Sequence, residues 1–189
     1  MSYTDLTYCR SHMNLISSIK HLLFVALLSL TYSVTAAELP NPQLMGSDGQ
    51  QHHLKDYLAK DKWTTIIVWG PKCPACIEEM PEIQGLYDDI EKVNINVLGL
   101  AVDFPSFTYA KLKQVQQFEE DYFITFPNLL ISSDIYYELG LGPLKGTPTV
   151  ILINPKGKVS AVQVGGVPGS VIEKYVAEED AKAKLVSKH

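Results

Sequence analysis

The chain has 189 residues, 46% of them hydrophobic and 20% charged, enough for one domain with a packed core. With only 12 Gly and 11 Pro, the composition excludes a collagen-like or disordered chain. The net charge of −5, with no stretch that concentrates Lys or Arg into a phosphate-neutralising patch, argues against non-specific nucleic-acid binding, so no nucleic-acid partner is expected. Residues 22–30 read LLFVALLSL, preceded by Lys20 and followed by Val34-Thr35-Ala36-Ala37, the pattern of a secretory leader cleaved after Ala36 or Ala37. Leu22 to Ala37 is 16 residues, shorter than the roughly 20 that span a bilayer, so a retained membrane anchor is the lesser alternative. Met13 makes a better start than Met1 for such a leader. The expected organisation is a signal peptide over 1–37 and one domain over 38–189, delivered to the periplasm and touching a membrane only if the leader stays. Cys9 leaves with the leader, and the remainder carries 14 Lys and Arg against 20 Asp and Glu.

After the leader, Glu38 to Asp61 is polar and turn-rich, an irregular strand or hairpin. Trp63–Trp69 (WTTIIVW) is β-branched and aromatic, a buried strand ended by Gly70-Pro71. Pro74 suits a first helical turn, and a helix is expected to run towards Glu91 with Pro81 kinking it. Residues 94–102 form a second buried strand, and Leu112, Val115 and Phe118 mark one face of a helix over 109–121. A short strand over 126–131 and a short helix over 134–139 follow. Residues 149–153 and 158–164, joined by Asn154-Pro155-Lys156-Gly157, read as a β-hairpin. A last helix is expected over 168–177, then a frayed charged tail. The fold class is α/β, a mixed central sheet with helices on both faces.

Cys73 and Cys76 are the remaining cysteines. Placed where a strand gives way to a helix, Cys73 meets unpaired N–H groups and the positive end of the macrodipole, which stabilise a thiolate. Cys76, three residues on, is placed to resolve a mixed disulfide, and Lys72 adds a positive charge beside Cys73. Three other readings compete. A structural disulfide over so short a loop constrains the unfolded chain by only about 2 kcal/mol. A zinc site would have to borrow His52 and His53, and structural zinc normally draws on two paired motifs. Two reduced core thiols do not suit an oxidising compartment. Redox exchange is the reading that uses the spacing.

The run Trp69 to Cys76 (W-x-x-x-C-P-x-C), the following Glu79-Met80-Pro81 and the G-T-P-T-V-I-L-I-N-P-K-G run from Gly146 to Gly157 resemble the thioredoxin superfamily. Within it they resemble the TlpA-like branch of exported thiol–disulfide oxidoreductases, of ResA and CcmG type. The resemblance implies a thioredoxin-like fold and a redox-active Cys73–Cys76 pair, with no cofactor and no metal. It implies that Pro148 is a cis proline facing the pair, so that an extended substrate segment can pair with the backbone of Thr147. It also implies that Glu79, on the same helical face as Cys76, manages the proton of the resolving thiol. An ordinary acidic residue favoured by the helix dipole is the competing reading of Glu79, and Glu78 is expected to be solvated.

Protein disulfides would be the substrates, apocytochrome c the typical one, and a membrane thiol reductase the electron donor. The same residues run in reverse would make a disulfide-forming oxidant, and a non-enzymatic copper-binding module through Cys73 and Cys76 is a third class. The chain departs from the superfamily at Lys72, where a Trp usually stands, and at Ile67, where thioredoxin buries an Asp. Peroxiredoxins, on the same fold, place Thr or Ser three residues before their reactive Cys; here that position is Gly70. His52 and His53 are expected on an exposed hairpin, and the acidic clusters at Asp88-Asp89-Glu91 and Glu178-Glu179-Asp180 on solvated helix faces.

Overall fold

The computed structural model describes residues 39–89 and 94–186, all within the compact unit Ala37–His189. The expected leader and Cys9 lie outside the described residues. The seven residues of strand β3 (Trp63–Trp69) are all buried, as a strand covered on both faces requires. It pairs parallel with β4 (Ile95–Asp103) and antiparallel with β7 (Thr149–Ile153). Among the described residues these strands form the middle of a six-stranded mixed sheet, closed at one edge by β8 (Val159–Val164). At the other edge, β5 (Thr108–Tyr109) and β6 (Asn128–Leu130) each take part of β4.

Alternation along β3 sorts the core into two layers. Trp63, Ile67 and Trp69 pack with helix α1 (Pro74–Asp88), helix α2 (Leu112–Tyr122) and helix α4 (Gly169–Val186), through Met80, Ile83, Val115, Phe118, Ile172 and Val176. Ile66 and Val68 face the opposite layer, where Leu44, Leu54, Tyr136 and Leu139 cover the sheet. That layer comes from the hairpin β1 (Gln43–Met45) and β2 (Gln51–His53), a single 3-10 turn at Leu54–Tyr57, the short helix α3 (Ser133–Tyr136) and the helical turn Tyr137–Leu141 that follows it. Helices thus lie on both faces of a mixed sheet, the longer three on one side.

Several local expectations shift. Helix α1 carries Pro81 inside it as expected, on its exposed face, but ends at Asp88, short of Glu91. Residues 109–111 do not begin α2: Phe107 takes a positive φ of 54°, the chain reverses, and Tyr109 pairs with Val102. The largest correction is at the end. Helix α4 runs to Val186, past the limit expected at Ala177, because Ala, Glu and Lys favour the helix and its acidic cluster is put to use. Asp180 accepts the indole N–H of Trp63 at 2.8 Å, and Glu179 pairs with Lys182 at 2.6 Å. That cluster is therefore not a purely solvated face. At the 154–157 turn, Asn154 Oδ1 accepts the N–H groups of Lys156 and Lys158, while Gly157 sits at φ 73°.

Candidate active site

Strand β3 ends at Trp69, and its fixed position follows from a buried polar network. The Trp69 indole N–H donates to Asn128 Oδ1 at 2.8 Å, and Asn128 Nδ2 donates to Glu119 Oε1 at 2.8 Å and to the Phe126 carbonyl at 3.1 Å. Trp69 is sealed and Asn128 is 2% exposed. Gly99 leaves room for this meeting, since a Cβ there would overlap Asn128 Oδ1. Burial raises the carboxyl of Glu119 above the ordinary glutamate range, and hydrogen bonds from Ser47 and Asn128 pull it partly back.

The four residues after Trp69 deliver Cys73 to the first position outside α1. The Cys73 N–H donates to the Gly70 carbonyl at 3.0 Å, and Pro74 occupies the first helical turn. Cys73 caps the helix with its sulfur, which accepts the Cys76 N–H at 3.2 Å. This is the anion-favouring contact expected at a helix mouth. Cys73 and Cys76 are joined by a disulfide, their Cα atoms 5.2 Å apart. Both are almost wholly enclosed, Cys73 at 1% exposure, while Lys72 beside it is exposed.

The Gly146–Thr149 segment comes to the pair from β7. Thr147 and Pro148 are joined by a cis peptide, and the Thr147 carbonyl oxygen lies 3.5 Å from Cys73 Sγ. Thr149 Oγ1 donates to the Gly146 carbonyl at 2.7 Å, and the Pro148 carbonyl accepts the Gly165 N–H at 2.8 Å. The structure therefore brings Cys73, Cys76, Thr147 and Pro148 into one place.

Glu79 is on the buried side of α1, 8% exposed, whereas Glu78 is exposed. Its Oε1 accepts the Val167 N–H at 2.5 Å, and Oε2 is buried without a hydrogen-bond partner. Burial lifts its carboxyl above the usual glutamate range; the Val167 N–H opposes the rise and the charge of Glu82 adds to it. A groove of about 290 Å³ opens here, between Glu78, Glu79 and Glu82 on α1 and the Gly166–Pro168 turn before α4. The turn and Glu82 are absent from the expected site. The signals available were the three-residue spacing Cys76, Glu79, Glu82 and the Gly165-Gly166 pair, neither of which says which backbone N–H groups the carboxylates will find.

The competing residues are placed elsewhere. His52 is half-buried rather than exposed, its Nε2 2.9 Å from the Asp48 carboxylate; His53 is exposed. Gly70 is hemmed in, a Cβ there coming within 2.7 Å of Phe104 Cβ and 3.0 Å of the Val102 carbonyl oxygen. The peroxiredoxin hydroxyl thus has no room at this position.

The chain is 30% identical over 138 residues to the thiol–disulfide oxidoreductase ResA of Geobacillus thermodenitrificans, covering 72% of this chain and 73% of that protein. To ResA of Bacillus subtilis it is 27% identical over 141 residues, 74% and 73% of the two chains. Among solved structures, a DsbF homologue from Corynebacterium diphtheriae superposes with a TM-score of 0.64 at 23% identity, covering 77% of this chain and 88% of its own. StoA from Bacillus subtilis superposes with a TM-score of 0.57 at 20% identity, over 74% and 98%. At those identities the two structures establish a shared fold. The AhpC/TSA family matches residues 35–162, and together with the ResA similarity this shows that the chain belongs to the AhpC/TSA family, as a thiol–disulfide oxidoreductase of thioredoxin-like fold.

Proposed function

We propose that this protein is an exported reductant of protein disulfides, freed from a leader over residues 1–37 and working in the periplasm. The observation that carries the reading is Cys73 capping α1, its sulfur holding the Cys76 N–H and lying 3.5 Å from the Thr147 carbonyl. In the reduced protein, the Cys73 thiolate attacks one sulfur of a target disulfide; a mixed disulfide forms and the target's other sulfur leaves as a thiolate. Cys76 then loses its proton to Glu79, attacks Cys73 Sγ and expels the second target thiolate. The pair ends oxidised and the target has gained two electrons. Thr147 and Pro148 offer the backbone edge along which the target chain lies. A membrane thiol reductase returns the pair to the dithiol, and the cysteines of apocytochrome c are the substrate that the family resemblance favours.

Glu79 supports this scheme as the proton acceptor because it combines burial, a raised proton affinity and an oxygen free of partners, one helical turn from Cys76. The test is insulin reduction. Cys73→Ala should abolish it, and Cys76→Ala should trap targets as mixed disulfides on non-reducing gels; turnover retained by Cys73→Ala rejects the scheme. A second reading, a disulfide-forming oxidant, is favoured by the Cys76 N–H on Cys73 Sγ, which stabilises the thiolate and with it the reduced state. The reduction potential separates the two: near about −270 mV for a reductant, near about −120 mV for an oxidant.

A further inference from the structure

Two carboxylates of α1, one helical turn apart, hold the same short turn. Glu79 Oε1 accepts the Val167 N–H, and Glu82 Oε2 accepts the Gly169 N–H at 3.0 Å. Gly169 is the first residue of α4, where a backbone donor has no acceptor within the helix and negative charge is favoured. The Pro168 carbonyl takes the first bonds of that helix, from Val171 and Ile172, so the Gly169 N–H depends on Glu82. The fit around the pair is close. A Cβ at Gly169 would lie 3.5 Å from the Glu82 carbonyl oxygen, and one at Gly166 would lie 3.6 Å from the Glu79 carboxyl. The turn therefore passes flat along α1, with both glutamates gripping it from one side.

We propose that Glu82 is a positioning residue for disulfide exchange: by fastening the first N–H of α4, it keeps the Val167 N–H on Glu79 Oε1 and so reserves Oε2 for the proton of Cys76. This rests on the role assigned to Glu79 above. The charged groups facing Glu79 are Glu78 and Glu82 of α1; the Gly166–Pro168 turn contributes none. Glu82 thus acts on Glu79 in two opposed ways. Its charge raises the proton affinity of Glu79, and its grip on the turn maintains the bond that lowers it.

Substitution separates those two effects. Glu82→Gln keeps an acceptor for Gly169 and removes the charge; Glu82→Ala removes both; Glu82→Asp keeps the charge but withdraws it from reach. In the full chain, the readouts are hydrogen exchange at the Val167 and Gly169 amides and the pH dependence of the resolving step, followed as decay of a preformed mixed disulfide. In Glu82→Ala and Glu82→Asp, exchange at Val167 should rise about tenfold, the equivalent of one charge-assisted hydrogen bond. The pH midpoint of resolution should move upward with it. Glu82→Gln should keep Val167 protected and move the midpoint downward. Unchanged Val167 exchange in both Glu82→Ala and Glu82→Asp overturns the proposal, as does a Glu82→Gln variant that behaves like Glu82→Ala. Glu79→Gln is the control for the underlying role: if it leaves the pH profile intact, the proton assignment of Glu79 fails, while Val167 exchange in the Glu82 variants still reports the grip on its own.

Discussion

Asn128→Ala is the substitution whose cost follows most directly from the structure. Asn128 is 2% exposed and makes three hydrogen bonds, accepting from Trp69 and donating to Glu119 and the Phe126 carbonyl. Its removal strands the indole N–H of a fully buried Trp, a desolvation cost of about 1–3 kcal/mol. The bond to Glu119 adds about 1 kcal/mol after discounting for a carboxylate that is only half-buried. A total near 3 kcal/mol is expected, which at a urea slope of about 2 kcal/mol/M lowers the unfolding midpoint by about 1.5 M. Asn128→Asp keeps the acceptor for Trp69 but sets a second carboxylate beside Glu119, so its deficit should shrink as the pH falls towards about 4. In a double-mutant cycle, Trp69→Phe and Asn128→Ala should couple by about 1 kcal/mol or more. A midpoint loss below about 0.3 M for Asn128→Ala, or additive single effects, refutes the network as a source of stability.

Two further outcomes are expected. Burial raises the proton affinity of Glu79 in the folded protein, so the stability it contributes is complete below its unfolded value of about 4.3 and is lost as the pH rises through its higher folded value. Glu79→Gln should lack that decline, and urea midpoints of the two proteins that stay parallel from about pH 4 to about pH 8 contradict it. Phe123, 82% exposed, ends α2 in the left-handed region at φ 55° and ψ 40°. Phe123→Gly should stabilise the protein by about 0.5–1 kcal/mol, seen as a rise in Tm, and a fall in Tm refutes the strain argument.

The strands were legible because burial on both faces writes itself into β3 and β7 as runs made almost wholly of β-branched and aromatic residues, and because Asn-Pro-Lys-Gly specifies its turn locally. The cysteine pair was legible for a related reason: its chemistry depends on a spacing of three residues and a helix start, both local. What stayed hidden depends on partners far along the chain. Nothing near Asn128 announces that its amide will meet Trp69, 59 residues earlier, or that Gly99 must stay bare to admit it. Glu82 looks like any solvated helix carboxylate until the Gly169 N–H, 87 residues on, is brought to it. The tail after Ala177 reads as a charged, frayed end, and the long-range bond to the indole of Trp63 adds to its local helix propensity a tie that its own residues do not announce.

The Trp63–Asp180 bond has a mechanical consequence. Trp63 opens β3, and the redox helix hangs from the other end of that strand. Helices α1 and α4 are thus moored to one rigid rod, one at its tip and the other at its root. With the root pinned through Asp180 and the leading end tied to α1 by Glu79 and Glu82, α4 is fastened at two points, so its spacing from the redox helix is set by side chains and not by the backbone alone.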